Sequence, residues 1–239
     1  MLKKLRRPAS LRLTRRRIAT YFEVSAAEEA FYERFLEPGM VVFDVGAHVG
    51  RLADVFAGRV APTGVVHAFE PGPSFDVLLT VGARHPNLRT EHSAVFERPG
   101  TVVLNVYDEQ HSSWSTLARR TLSDSGLAVA PVMQADVPAV ALDEYCAQND
   151  VEWIDLLKID VEGAELQVLR GASRLFADRR VRSCVFEVGE TTFDMGNDPY
   201  ELLAFFRHFG YRVENLVPGG PLLPAGGHAF AMHRAFAVR

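Results

Sequence analysis

Apolar residues follow two rhythms along this chain, and the rhythm switches repeatedly. Short continuous apolar runs at 40–45, 65–69, 88–96, 154–161 and 181–188 predict buried strands. Between them, apolar residues three and four apart predict helices over 26–36, 50–58, 74–84, 142–148, 164–170 and 199–209. The first helix opens on the capping-box spacing Ser25-Ala-Ala-Glu28, with Phe31 and Phe35 four apart behind it, and Pro38-Gly39 stops it. Gly171 is the expected stop of the helix over 164–170. Residues 101–107 (TVVLNVY) predict an extra strand. Residues 211–217 and 228–238 predict a closing strand pair, antiparallel across the Pro/Gly-rich 218–227. Residues 108–136 show little periodicity and read as a long irregular segment, a kind that often carries function.

Strands alternating with helices predict an α/β fold: a mostly parallel sheet with helices on both faces and an antiparallel C-terminal pair. Such sheets bind ligands beyond the carboxyl ends of their strands, where the strand order reverses. Chemistry is therefore sought just after each strand.

Composition narrows the classes. With 239 residues, 48% hydrophobic and 23% charged, the chain is globular and large enough for one sizeable domain. Two cysteines, Cys146 and Cys184, are too few for a disulfide scaffold or a four-cysteine zinc site, and they suit a reducing, cytoplasmic setting. No apolar run reaches the roughly 20 residues that cross a bilayer. The net charge of −4 conceals an asymmetry: residues 1–17 hold eight of the 26 basic residues and none of the 30 acids. The expected division is thus a basic N-terminal arm and helix over 1–38 and the main domain over 39–239. The arm is either a solvated end or a contact for an anionic membrane surface or an acidic partner. The acidic body argues against nucleic acid as a specific partner. Oligomeric state leaves no mark in the sequence.

Three strand ends carry candidate chemistry. In Val41-Val-Phe-Asp-Val-Gly-Ala-His-Val-Gly50, Gly46 permits a sharp turn and Gly50 a close helix start. Asp44 can accept from the loop or from a ligand amine. The spacing Gly-x-x-x-Gly is not the Gly-x-Gly-x-x-Gly of a pyrophosphate-binding loop, and an acid before it suits a cationic ligand such as S-adenosylmethionine. Glu70 ends the second strand, 20 residues after Gly50, where a carboxylate can take both ribose hydroxyls. Phe69, Pro71, Ser93 and Ala94 suit either an adenine wall or the core. In Asp155-Leu-Leu-Lys-Ile-Asp-Val-Glu-Gly163, alternation puts Leu156, Lys158 and Asp160 on one face. Lys158 and Asp160 in an apolar strand must be paired or used. Glu162 and Glu165 are placed to stabilise the start of the next helix.

These stretches resemble the FkbM family of S-adenosylmethionine-dependent methyltransferases. FDVGAHVG (43–50), AFEPGP (68–73), residues 93–95, LDEY (142–145), DLLKIDVEGAELQVLRGA (155–172) and VFEVGE (185–190) carry the resemblance. It implies a class I, Rossmann-like methyltransferase domain over 39–239 and methyl transfer, typically to a hydroxyl oxygen. It further implies that Asp44, Gly46, Ala47, His48 and Gly50 line the cofactor turn, that Glu70 holds the ribose, and that Asp160 lies at the methyl-transfer site. His48 stands where the family often has Asn, and 108–127, with Ser112, Ser113 and Ser115, matches the family's serine-containing stretch only loosely.

A hydroxyl acceptor benefits from a base as its proton leaves. Asp160 is the first candidate, with Lys158 beside it, and Glu187 in VFEVGE the second. His111 is a third, although a lone loop histidine is usually solvated. The carboxylates of Asp160 and Glu187 are also placed to share a divalent cation, but no full ligand set can be assembled, so no metal ligand is assigned. Trp114 and Phe193 are acceptor-pocket candidates. The acceptor expected is a small-molecule, sugar or natural-product hydroxyl. Two other readings stay open at this stage: an NAD-dependent oxidoreductase, and a non-catalytic S-adenosylmethionine-binding protein on the same fold.

Overall fold

The computed structural model describes residues 26–118, 130–188, 191–217, 219–220, 222 and 233–238. The basic stretch 1–17 lies outside them, as do Gly189, Glu190 and most of the segment expected to join the last two strands. The first half runs α1 (26–35), β1 (Val41–Val45), α2 (Arg51–Val60), β2 (Val65–Phe69), α3 (Phe75–Gly82), β3 (Leu88–Glu91), β4 (Ala94–Val95) and β5 (Gly100–Val106). A short 3-10 helix, Glu109–Trp114, precedes β6 (Met133–Val140). The second half runs α4 (Leu142–Gln148), β7 (Leu156–Ile159), α5 (Glu165–Arg170), α6 (Ser173–Ala177), β8 (Ser183–Val188), α7 (Thr191–Asp194), α8 (Pro199–His208), β9 (Arg212–Asn215) and β10 (His233–Val238).

Seven strands form one sheet in the order β3-β2-β1-β7-β8-β10-β9. The first five are mutually parallel; β10 runs antiparallel to both β8 and β9. Strand order reverses between β1 and β7, which makes their carboxyl ends the switch point where such sheets take ligands. The core lies on both faces. Val42, Val66, Leu156 and Val185 pack with Phe56 and Val60 of α2, while Phe43, Leu157, Ile159 and Phe186 pack with Leu166, Phe176 and Phe206. Tyr32 and Leu36 are buried in the α2-side cluster, so α1 packs into the core of the domain that was expected to start after it.

Two expectations are corrected. The single strand over 88–96 breaks at His92 and Ser93, where Ser93 N donates to Glu91 O and the chain leaves the main sheet. β4 then joins a second sheet of order β4-β6-β5. At the end of the stretch read as irregular β6 begins, and its residues 133–139 pair antiparallel with β5. Its alternation was hidden because Gln134, Asp136 and Pro138 occupy the outward positions, while Val137 and Ala139 are buried.

Candidate active site

Register decides which side chains meet. Val45 pairs with Phe69 on one side and Ile159 on the other, and Ile159 pairs with Phe186. The residues that follow these levels, Gly46, Glu70, Asp160 and Glu187, therefore share one edge of the sheet. A cavity of about 190 Å³ opens there. Gly46, His48, Glu70, Pro71, Ser93, Ala94 and Asp160 line it, and so does the stretch from Ser112 to Leu117.

Asp44 and Lys158 are register partners one step below this edge. Lys158 Nζ donates to Asp44 Oδ1 at 2.7 Å and to the Gly46 carbonyl at 3.0 Å, and sits 3.8 Å from Asp160 Oδ2. Burial opposes the charge on Lys158, but the Asp44 and Asp160 carboxylates outweigh it and hold its pKa above the ordinary value. Burial pushes the Asp44 carboxyl up against the pull of that ammonium. Asp44 is fully buried and is not among the cavity-lining residues; the amine that its Oδ1 meets in this structure is that of Lys158. Its other oxygen, Oδ2, has no hydrogen-bond partner among the described residues. Lys158 was expected beside Asp160; its shorter contact is with Asp44.

Gly46 has φ +79°, and a Cβ there would lie 1.9 Å from the Asp160 carbonyl oxygen. The glycine is required by the approach of β1's turn to the end of β7, not by ligand room alone. Gly50 is favoured by its left-handed backbone, φ +83°, and packs close to α3, where a Cβ would lie 2.8 Å from Leu78 Cδ1. Ala47 is buried, and its N–H and that of Gly46 both donate to the Phe69 carbonyl, which locks the turn onto β2.

Glu70 accepts from His48 N through Oε2 at 2.9 Å and from Gly72 N through Oε1 at 2.8 Å. Burial raises its pKa, and these two amides and Lys158 pull it back. Each oxygen keeps a lone pair for a further donor. Ser93 Oγ is buried, lines the cavity and has no hydrogen-bond partner among the described residues.

On the other side, carboxylate oxygens of Asp160, Glu162 and Glu187 lie within 4.8 Å of one another. The pairing of Asp160 with Glu187 was expected; Glu162 is added because it turns at φ +55° ahead of α5 instead of starting that helix. Glu165 does start α5 but is fully buried. Oε1 accepts from Gly163 N, and burial raises its pKa to about 7, which does not suit a simple charged cap. The stretch 112–117 lies within 108–127, which resembles the family only loosely. Its wall position follows from Thr116, whose Oγ1 donates to the Glu162 carbonyl at 2.7 Å and whose backbone bridges Asn105. Trp114 lines the cavity; Phe193 and His111 do not, and His111 Nδ1 pairs with Asp108 at 2.6 Å.

Among the described residues, no helix is long and apolar enough to cross a membrane. Residues 44–213 match the methyltransferase FkbM domain. The chain is 33% identical to the 31-O-demethyl-FK506 methyltransferase FkbM of Streptomyces tacrolimicus, covering 74% of this chain and 75% of that one. It is 28% identical to the methyltransferase sdnD of Sordaria araneosa, covering 62% and 66% respectively. Among solved structures, a Clostridium thermocellum protein provisionally assigned as an rRNA methylase shares the fold with a TM-score of 0.52 at 9% identity, over 90% of this chain and 96% of that one. With a doubly covered, mostly parallel sheet, an antiparallel C-terminal pair and a family match over most of its length, this chain belongs to the FkbM family of S-adenosylmethionine-dependent class I methyltransferases.

Proposed function

We propose that this methyltransferase acts on a hydroxyl oxygen of a small-molecule, sugar or natural-product acceptor. The observation that carries the reading is a single cavity with two kinds of lining. Glu70, Phe69, Pro71, Ser93 and Ala94 form an apolar slot with one carboxylate and one unmet hydroxyl, a donor set that fits an adenosine. Asp160, Glu162, Ser112, Ser113, Ser115 and Thr116 form a wall of carboxylates and hydroxyls that fits a hydroxylated acceptor. S-adenosylmethionine supplies a methyl group already activated on a sulfonium.

The chain's own residues then have to orient and to accept a proton. Glu70 holds the ribose, the locked turn of Gly46, Ala47 and His48 fixes its depth, and orientation alone supplies much of the rate in such displacements. Asp160 takes the acceptor's proton, with Glu187 next to it as the alternative base. Lys158 keeps negative charge balanced beneath them. The relative from Streptomyces tacrolimicus is named for an O-demethylated substrate, which favours oxygen as the acceptor atom. Asp160, Glu162 and Glu187 bring carboxylate oxygens within 4.8 Å of one another, and no step of this proton transfer is assigned to a cation.

Calorimetry with S-adenosylmethionine, S-adenosylhomocysteine and NAD tests the cofactor: the first two should bind, and binding of NAD alone would overturn the reading. A hydroxylated panel that includes 31-O-demethyl-FK506 tests the acceptor. NMR of the product should place the new methyl on oxygen; a methyl on nitrogen or carbon removes that assignment. Glu70→Gln should weaken S-adenosylhomocysteine by about 10- to 100-fold, because one charged acceptor is lost and such bonds contribute roughly 1.5–3 kcal/mol. An unchanged affinity in calorimetry would take the ribose away from Glu70.

A further inference from the structure

Methyl transfer as described leaves the contact between His48 and Ser112 without a part. His48 sits in the glycine turn at φ +51°, a left-handed backbone that Asn, Asp and His adopt more readily than other side-chain-bearing residues. That requirement accounts for a His where the family often has Asn. From this position one residue faces two ways. Its backbone N–H donates to Glu70, and its ring reaches across the cavity edge, where Nε2 lies 2.9 Å from Ser112 Oγ. The imidazole nitrogen and the hydroxyl can each donate or accept, so the bond forms in either neutral tautomer.

Ser112 belongs to the short helix Glu109–Trp114, near the tip of a loop whose stem is closed by the Asn105–Thr116 bridge, by Tyr107 N donating to Ser115 Oγ at 3.4 Å, and by the packing of Trp114 on Tyr107. In the stem, Thr116 is buried, bonds the Glu162 carbonyl and exchanges backbone hydrogen bonds with Asn105 at 2.9 and 3.1 Å. Near the tip, Ser112 is only half-buried and its side chain meets His48 alone among the described residues. The stem of this loop is thus tied by several bonds, and its tip is tied to the glycine turn by the His48–Ser112 bond. Burial, and then the Lys158 charge, hold the His48 pKa below its ordinary value.

We propose that His48 and Ser112 form a clasp that holds the 112–117 wall closed over the cofactor turn, so that His48 is a positioning residue governing entry and exit of the adenosyl ligand. This rests on the reading of the cavity as an S-adenosylmethionine site. Opening the clasp should speed both entry and exit while leaving the closed site's contacts in place.

The test is stopped-flow binding of S-adenosylhomocysteine to the full chain. Ser112→Ala should raise the association and dissociation rates together by about three- to tenfold, the factor expected for one lost hydrogen bond, with Kd changed less than about twofold. Ser112→Thr, which keeps the hydroxyl, should behave like the unmodified protein. His48→Asn should reproduce the Ser112→Ala rates, and the double variant should add nothing further. Unchanged rates in Ser112→Ala would overturn the clasp. A rise in dissociation alone would make Ser112 a ligand contact, and effects that multiply in the double variant would make the two residues independent; either also overturns it. Failure of the unmodified protein to bind S-adenosylhomocysteine would remove the cofactor reading and the clasp together, whereas binding with unaltered variant kinetics removes the clasp only.

Discussion

Lys158→Met should destabilise the protein by about 3–5 kcal/mol, because it leaves the Asp44 carboxylate buried without its cation. Lys158 and Asp44 are both almost wholly enclosed, with side-chain exposures of 4% and 0%. Nothing else described can take over: Asp44 Oδ1 is held by Lys158, and Oδ2 already lacks a hydrogen-bond partner among the described residues. Methionine fills nearly the same volume, so the loss reads the charge rather than a void. The Gly46 carbonyl also loses its donor, which loosens the turn that carries His48. Urea denaturation followed by circular dichroism measures the change. Adding Asp44→Leu to Lys158→Met should restore much of the stability, since apolar replacement of a whole buried pair is often neutral or better. A loss under about 1 kcal/mol for the single variant would mean that water reaches the pair, as it does for exposed ion pairs.

The same pair shows what a sequence of this kind makes legible. Period-two alternation placed Leu156, Lys158 and Asp160 on one face, and the packing of Leu156 with Val42 and Phe56 agrees. Alternation within one strand cannot reveal the neighbouring strand, so the partner of Lys158 was out of reach. The register of β1 against β7 supplies it by setting Asp44 opposite Lys158. Glu70, Asp160 and Glu187 were legible for a different reason. Glu70 and Asp160 each follow a buried strand and Glu187 is the second-last residue of β8, and parallel strands in an open sheet end at a common edge.

Residues 108–136 were less readable, and two physical causes can be named. β6 has polar residues and a proline at its outward positions, so its two buried side chains, Val137 and Ala139, are too few to signal a strand alone. The wall from Ser112 to Leu117 has no regular period because it is held by side-chain bonds to His48 and to the Glu162 carbonyl, 64 and 46 residues away. Contacts at such separation leave no local pattern. The glycines were found but for incomplete reasons: Gly46 answers to the end of β7, which is not near in sequence, and Gly50 to a left-handed backbone at the start of α2.

Asp160→Asn should lower turnover by about 10²- to 10⁴-fold, the range that a positioned base contributes, while S-adenosylhomocysteine affinity stays within about threefold. The split follows from where Asp160 stands. Its carboxylate clusters with those of Glu162 and Glu187, whereas the ribose is proposed to be held by Glu70. Asparagine keeps the size and removes the proton acceptor. It also leaves the Lys158–Asp44 bond intact, since that 2.7 Å contact is the shorter of the two made by Lys158. Steady-state rates with an acceptor that the unmodified enzyme methylates, set beside calorimetric affinity, measure both halves. Glu187→Gln is the informative companion, because its carboxylate lies in the same cluster but does not line the cavity. Should Asp160→Asn keep its turnover while Glu187→Gln loses it, the proton leaves through Glu187 and Asp160 serves to hold the acceptor hydroxyl. If cofactor affinity collapses with Asp160→Asn, the carboxylate belongs to the adenosyl side of the cavity, and the base must be sought among the residues of the opposite wall.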